Sequence, residues 1–249
     1  MKRPLPLLAL LLAAASAAAQ ERHAGVQDDG AASRGALRPA PRGYANPSAA
    51  IAAELTLARD AAARGETTAL IAAAAPEAVA FTPRLAWAQT WLRGRPNPAS
   101  TPRWQPRAVW SSCDGALVLS QGDWTDAAGQ AGWYMRLWQR KGSGTYKWLA
   151  ATSGPAAKAD TEPDMISAQV ADCPARKPRE AGDEPRKRTK PAKPVKVKNL
   201  PPLDPVQHSG ASPDGSLRWE ARVDAEGGAR LNVIWRKDGA DQNVFSAGS

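Results

Sequence analysis

The first regular hydrophobic pattern in the chain runs through "ANPSAAIAAELTLARDAAARG". Ile51, Leu55, Ala58 and Ala62 recur at spacings of four, three and four, one apolar stripe of a helix. Asn46 suits the N-cap, Pro47 the first helical position and Gly65 the end. "ETTALIAAAAP" predicts a second, short helix stopped by Pro76, and "EAVAF" a short strand. "TPRLAWAQTWLRG" predicts a third helix, capped by Thr82 and ended by Gly94, with Trp87 and Trp91 one turn apart on one side.

From Arg103 the period changes to two. "RWQPRAVWSSC" and "ALVLSQGDW" flank Asp114-Gly115, a two-residue type I′ hairpin signal. That loop fixes a register in which Trp110 faces Leu119 and Ala108 faces Gln121. Ala108, Trp110, Leu117 and Leu119 then share one face, and Val109, Cys113, Val118 and Trp124 the other. Pro106 predicts a bulge or an edge. "GWYMRLWQR" and "TYKWLAAT" form a second hairpin, with Trp133, Met135 and Leu137 alternating with Tyr134, Arg136 and Trp138. "TEPDMISAQVADC" reads as a closing helix, because Ile166, Val170 and Cys173 fall at i, i+4 and i+7. Near the C-terminus, "SLRWEARVDAEGGARLNVIWRKDG" is an amphipathic hairpin with a short third strand around Asn243 to Phe245. A lone hairpin is marginal in water. Its face with Trp219 and Trp235 therefore needs a surface: the first domain, a second subunit or an external partner.

Composition changes this picture at the N-terminus and in the middle. Lys2, Arg3, the apolar run from Leu5 to Ala15 and the small residues Ala17 to Ala19 form a signal peptide cut before Gln20. The run is too short to span a bilayer. The mature protein is expected to be soluble and periplasmic or secreted. Residues 174–198 hold ten Lys/Arg against three Asp/Glu, which accounts for most of the formal net charge of +9. The expected organisation is a signal peptide at 1–19, a polar leader at 20–43 and a domain at 44–173. A Pro/Lys/Arg-rich linker at 174–212 and the hairpin extension at 213–249 follow.

The chemistry-bearing residues are few. Two cysteines in an oxidising compartment predict a Cys113–Cys173 disulfide. A reactive thiol at Cys113 is the alternative, disfavoured by the neighbouring Asp114 anion and by the lack of a nearby histidine. The two histidines, His23 and His208, fall in segments read as flexible, so neither a Ser-His-Asp triad nor a histidine metal site is expected in the core. The carboxylates Asp60, Asp114 and Asp123 read as solvated or capping groups, while Tyr134 and Tyr146 could donate to an oxyanion. No catalytic residue, metal ligand or cofactor site is identified.

The element order resembles the nuclear transport factor 2-like superfamily, the α+β cone that includes SnoaL-type cyclases and ketosteroid isomerases. The residues carrying the resemblance are "NPSAAIAAELTLARDAAARGE", "RWQPRAVWSSCDGALVLSQGDW" and "GWYMRLWQRKGSGTYKWL", within residues 44–173. It implies a strongly bent antiparallel sheet packed on three N-terminal helices and a closing helix, around a conical apolar pocket. The expected pocket residues are Trp87, Trp91, Trp110, Leu119, Met135, Leu137 and Trp148. The leading expectation is a non-enzymatic protein binding a small apolar or amphipathic ligand. One alternative is a metal-independent acid–base isomerase, lyase or hydrolase, which needs a buried carboxylate beside a Tyr or Arg in the pocket. The other is an envelope adaptor that uses residues 174–198 on an anionic surface. A homodimer is compatible with each. Specific nucleic-acid recognition is not expected, because no aromatic residue interrupts the basic run.

Overall fold

The computed structural model describes residues 45–82, 84–155, 165–174 and 196–248. The expected signal peptide, the leader and residues 175–195 of the basic stretch lie outside them.

Helix α1 (Pro47–Arg64) starts with Pro47 after Asn46, as the sequence indicates, although the Asn46 side chain makes no cap bond. Gly65, at φ +89°, ends it and α2 (Glu66–Ala73) begins at once. Asn97 clips this junction, accepting from the Thr68 N–H at 3.1 Å and donating to the Arg64 carbonyl at 3.3 Å. A Cβ on Gly65 would lie 2.2 Å from the Asn97 side chain, so the close approach requires glycine. Strands β1 (Ala74–Phe81) and β2 (Leu85–Trp87) follow, then α3 (Ala88–Leu92). The expected third helix is thus a short strand and little more than one helical turn. Leu85 to Trp87 pair with β1, and that pairing overrides the helical spacing of Trp87 and Trp91.

The central meander is β3 (Arg103–Ser111), β4 (Leu117–Thr125), β5 (Ala131–Arg140) and β6 (Tyr146–Pro155). The predicted register is present: Trp110 opposite Leu119 and Ala108 opposite Gln121, with a bulge between Pro106 and Ala108. The turn itself differs from type I′. Of Asp114 and Gly115 only Gly115 takes a positive φ, +66°. Its N–H donates to Ser112 O at 3.0 Å, and the Asp114 carboxylate accepts from Ser112 Oγ and the Ala116 N–H.

The expected closing helix is instead strand β7 (Ser167–Val170), parallel to β3 with Trp110 opposite Gln169. A four-residue segment beside an open sheet edge gains ladder bonds that a short helix would not. The stripe of Ile166, Val170 and Cys173 is therefore not helical. It still delivers Cys173 to Cys113, and the two are joined in a disulfide with Cα atoms 5.1 Å apart.

The seven-stranded sheet runs β2-β1-β6-β5-β4-β3-β7. Its central meander is antiparallel, while β1–β6 and β3–β7 are parallel pairs. Bulges in three ladders accompany its curvature. A second sheet follows, with β8 (Gln207–Ala211), β9 (Leu217–Val223), β10 (Ala229–Lys237) and β11 (Ala240–Gly248) in the order β11-β10-β9-β8. The C-terminal hairpin is therefore a four-stranded sheet whose first strand lies within the expected linker. The fold is α+β with two open sheets.

The helices cover one face of the seven-stranded sheet and the second sheet covers the other. Trp87 makes an edge contact with His208 at 5.6 Å, and His208 with Trp219 of β9 at 5.5 Å. Trp133 meets Phe245 of β11 at 5.4 Å. The register row Trp87, Val79, Ala150, Leu137, Leu119 and Trp110 lies on the same side as Trp87. Leu119, Leu137, Leu217, Val233 and Trp235 are buried at this junction. The Trp235 indole N–H donates to Ser111 O at 2.9 Å. The two-Trp face of the hairpin thus docks on the first domain.

Candidate functional site

On the helical side the buried stripe of α1 is Ala50, Glu54, Leu57 and Ala61, one position off the predicted one. Leu55 is exposed. The shift has an electrostatic cause. Glu54 points at Arg136 of β5, with Nη1 at 2.5 Å from Oε2 and 2.8 Å from Oε1. Their side chains are 1 % and 5 % exposed. Ser120 Oγ donates to Glu54 Oε1 at 2.7 Å and accepts from the Trp138 indole at 3.1 Å. Burying two charges is favourable only when they are paired and hydrogen-bonded, as they are here. The guanidinium also stands over the rings of Tyr134 and Trp104, at 5.1 and 5.2 Å.

Beside this pair, α2 and α3 enclose a cavity of about 380 Å³ against β1, β5 and β6. Phe81, Trp91, Trp104 and Trp148 form its aromatic walls, and Glu66, Tyr134 and Arg136 its polar lining. The Trp148 indole is tied to Leu70 O of α2 at 2.9 Å, which fixes that wall. Of the buried polar atoms of the lining, Arg136 Nε has no hydrogen-bond partner among the described residues, and Tyr134 Oη has no well-formed one, its nearest polar neighbour being the Glu54 carboxylate. Such under-satisfied groups cost about 1–3 kcal/mol each and are uncommon in a folded interior. Tyr134 is 2 % exposed. Burial first, and the Glu54 carboxylate second, push its phenol well above the ordinary tyrosine range, so it remains a donor at any physiological pH. Burial also raises the Glu66 carboxyl above its usual 4.5, opposed by the Arg136 charge. Gly122 faces Tyr134, and a Cβ there would come within 2.7 Å of the tyrosine ring, so glycine makes room for it.

Of the seven residues predicted to line a pocket, three line the cavity and four do not. Trp91, Met135 and Trp148 line the cavity. Trp87, Trp110, Leu119 and Leu137 belong to the row facing the second sheet and are packing residues. Tyr146, the other donor suggested by the sequence, is spent on Gly115 O at 2.7 Å. Asp60 pairs with Arg64 at 2.8 Å, Asp123 with Arg107, and Asp114 holds its turn. None of these three carboxylates lines the cavity. Among the described residues no group of three or more His, Cys, Asp or Glu is placed to hold a metal ion. No helix among them is long and apolar enough to cross a membrane.

Sequence reasoning missed Glu54, Glu66, Trp104 and Arg136. A signal for Glu54 existed: Ala50, Glu54, Leu57 and Ala61 repeat at the same spacings as the chosen stripe, with a charge inside it. Arg136 likewise sits between Tyr134 and Trp138 on one strand face, a charge on an aromatic surface. A second groove, of about 340 Å³ between α1, α2 and the β5–β6 turn, is lined by six alanines with Asp60, Tyr146 and Lys147 among its polar residues; Asp60 is held by Arg64, Tyr146 by Gly115 O and Lys147 by Ala72 O. The chain matches no protein-family model and no curated protein sequence.

Proposed function

We propose that this protein is an exported member of the nuclear transport factor 2-like cone proteins, and that its cavity binds a small amphipathic ligand. The observation that carries the reading is the pairing of aromatic walls with two under-satisfied buried donors, Arg136 Nε, which has no partner among the described residues, and Tyr134 Oη, which has only the Glu54 carboxylate nearby. A ligand with a flat or alicyclic body would stack between Trp91, Trp104 and Trp148. One acceptor atom on it would take the bonds those donors lack. Because Glu54 already neutralises Arg136, a neutral acceptor suits the site better than a second buried anion. The family reading is supported by α1 and α2 packed on one face of a curved sheet ahead of the antiparallel meander, and it lacks, among the described residues, the closing helix, whose place β7 takes. Export is supported by the N-terminal apolar run with its cleavage pattern and by the disulfide.

The test is a titration of aryl and alicyclic compounds followed by tryptophan emission and thermal unfolding. A ligand at a hundred times its Kd adds about 2.7 kcal/mol to stability, a shift of several degrees. If neither signal moves across a broad set, the reading fails.

A second reading is favoured by Glu66, a carboxyl of raised pKa lining the same cavity as Tyr134 and Arg136. In it the cavity carries out proton transfer on its ligand, with Glu66 as the acid or base and Tyr134 as the stabilising donor. It requires a compound that the parent turns over and that Glu66→Gln binds without turnover. A bound compound recovered unchanged from the parent contradicts it.

A further inference from the structure

The two sheets share more than an interface. Ser112–Leu117 reads SCDGAL and Ser212–Leu217 reads SPDGSL. In both turns the serine N–H donates to the leucine carbonyl, at 2.9 and 2.8 Å. The glycine N–H donates to the serine carbonyl, at 3.0 and 2.9 Å. The leucine N–H donates to Ser Oγ, at 3.1 Å in each. Gly115 and Gly215 take φ of +66° and +71°. The next turns, Asp126–Gln130 and Asp224–Gly228, also match. The aspartate carboxylate accepts from the N–H four residues on, at 2.8 and 2.6 Å. Arg140 N–H donates to Ala116 O, and Arg236 N–H to Ser216 O, at 2.9 Å in both. Even the bulge recurs, after Leu137 in the β5–β6 ladder and after Val233 in the β10–β11 ladder. Strands β8 to β11 therefore repeat β3 to β6 in the same sheet order, with the first two turns alike and the third shortened from a five-residue loop between Arg140 and Tyr146 to a two-residue turn between Lys237 and Ala240.

The copies also meet through corresponding surfaces. Leu119 and Leu137 of the first correspond to Trp219 and Val233 of the second, and all four are buried. At the tips, the Asp114 N–H donates to Oδ2 of its counterpart Asp214 at 2.8 Å. Cys113 N–H donates to Ser216 Oγ at 2.9 Å. A contact in which one patch meets its own equivalent is the arrangement of a two-fold dimer. Here it is closed within one chain. Pro174 and Lys196 are joined through 21 residues, a length that can reach roughly 70 Å.

We infer that the C-terminal sheet is a duplicate of the β3–β6 meander that docks by self-recognition, and that a second copy of this chain is the partner for the same face. Two chains exchange their C-terminal sheets, and each sheet covers the Leu119–Leu137 face of the other. Every contact made within one chain is then made between two, so exchange requires only that docking loosens.

The experiment uses two full-length forms with different affinity tags. They are mixed near millimolar concentration, held at the onset of thermal unfolding and cooled. The expected product purifies through both tags, has a doubled light-scattering mass and keeps the parent's tryptophan emission. Trp235→Ala, which weakens the same contact in the closed and the exchanged form, should lower the temperature at which exchange begins. In a second arm a protease site is placed within residues 175–195 of the full chain. After cutting, the C-terminal piece of one form should pass to the other. Tags that never co-purify in either arm overturn the proposal, as does a mixed dimer that forms in the first arm while no C-terminal piece passes between the forms in the second.

Discussion

Replacing Glu54 by Gln isolates the electrostatic role of the buried pair. Gln keeps the volume and an oxygen for Ser120, but removes the charge facing Arg136. The guanidinium, 5 % exposed and bonded through Nη1 to both Glu54 oxygens, then loses its hydrogen-bonded counter-ion and keeps only the more distant Glu66 carboxyl in the helix layer. Breaking a buried pair on one side costs about 3–5 kcal/mol. At roughly 2–4 °C per kcal/mol for a domain of this size, the midpoint should fall by about 6–20 °C. Replacing both partners gives the opposite sign of argument. Glu54→Leu with Arg136→Met removes the desolvation cost together with the attraction, and should restore most of the loss. The assay is urea unfolding by tryptophan emission on the parent, both single variants and the double, analysed as a cycle. If Glu54→Gln unfolds within about 0.5 kcal/mol of the parent, or the double variant is no better than the worse single, the pair does not anchor α1 to the sheet. The reason given for the one-position shift of the buried stripe would then be wrong.

Three further outcomes follow from the same geometry. Tyr134→Phe removes a buried hydroxyl with no well-formed hydrogen bond, whose nearest polar neighbour is the Glu54 carboxylate. Urea unfolding should show stability unchanged or raised, while titration should show ligand affinity lowered about tenfold, the worth of one net hydrogen bond. Burial between Trp87 and Trp219 holds the His208 pKa below its ordinary 6.5. Its contribution to stability is therefore complete above that value and declines as pH falls below it. His208→Phe should flatten that part of the stability profile, and an unchanged profile refutes the assignment. Replacing Cys113 and Cys173 by Ser opens a loop with a sequence separation of 60. The chain-entropy account puts the loss at roughly 4 kcal/mol, to be read from urea midpoints, and a loss under about 1 kcal/mol would contradict it.

Features governed by local chemistry were legible in the sequence. The register across Asp114-Gly115 followed from loop length and alternation, and the limits of α1 from Pro47 and Gly65. The turn type did not follow, because the Asp114 side chain holds a conformation in which only Gly115 needs a positive φ. Features that depend on distant partners were misread. Ser167–Val170 looked helical by spacing, and the open edge of β3 makes it a strand. Leu85–Trp87 did the same beside β1. The cavity was half legible for one reason: Trp110 and Trp148 are equally apolar, and only the second sheet decides which face of the first is packed and which lines a cavity. Glu54 was hidden because a carboxylate on an apolar stripe argues for solvent until Arg136, 82 positions later, is seen opposite it.

The central claim is that the cavity holds a ligand whose acceptor atom is met by Tyr134 and Arg136. The most direct measurement is a crystal structure of the protein with the tightest compound from the titration. The account predicts its body between Trp91, Trp104 and Trp148, with one acceptor within hydrogen-bond distance of both Tyr134 Oη and Arg136 Nε. A ligand bound elsewhere, or one inside the cavity that bonds to neither donor, would contradict it.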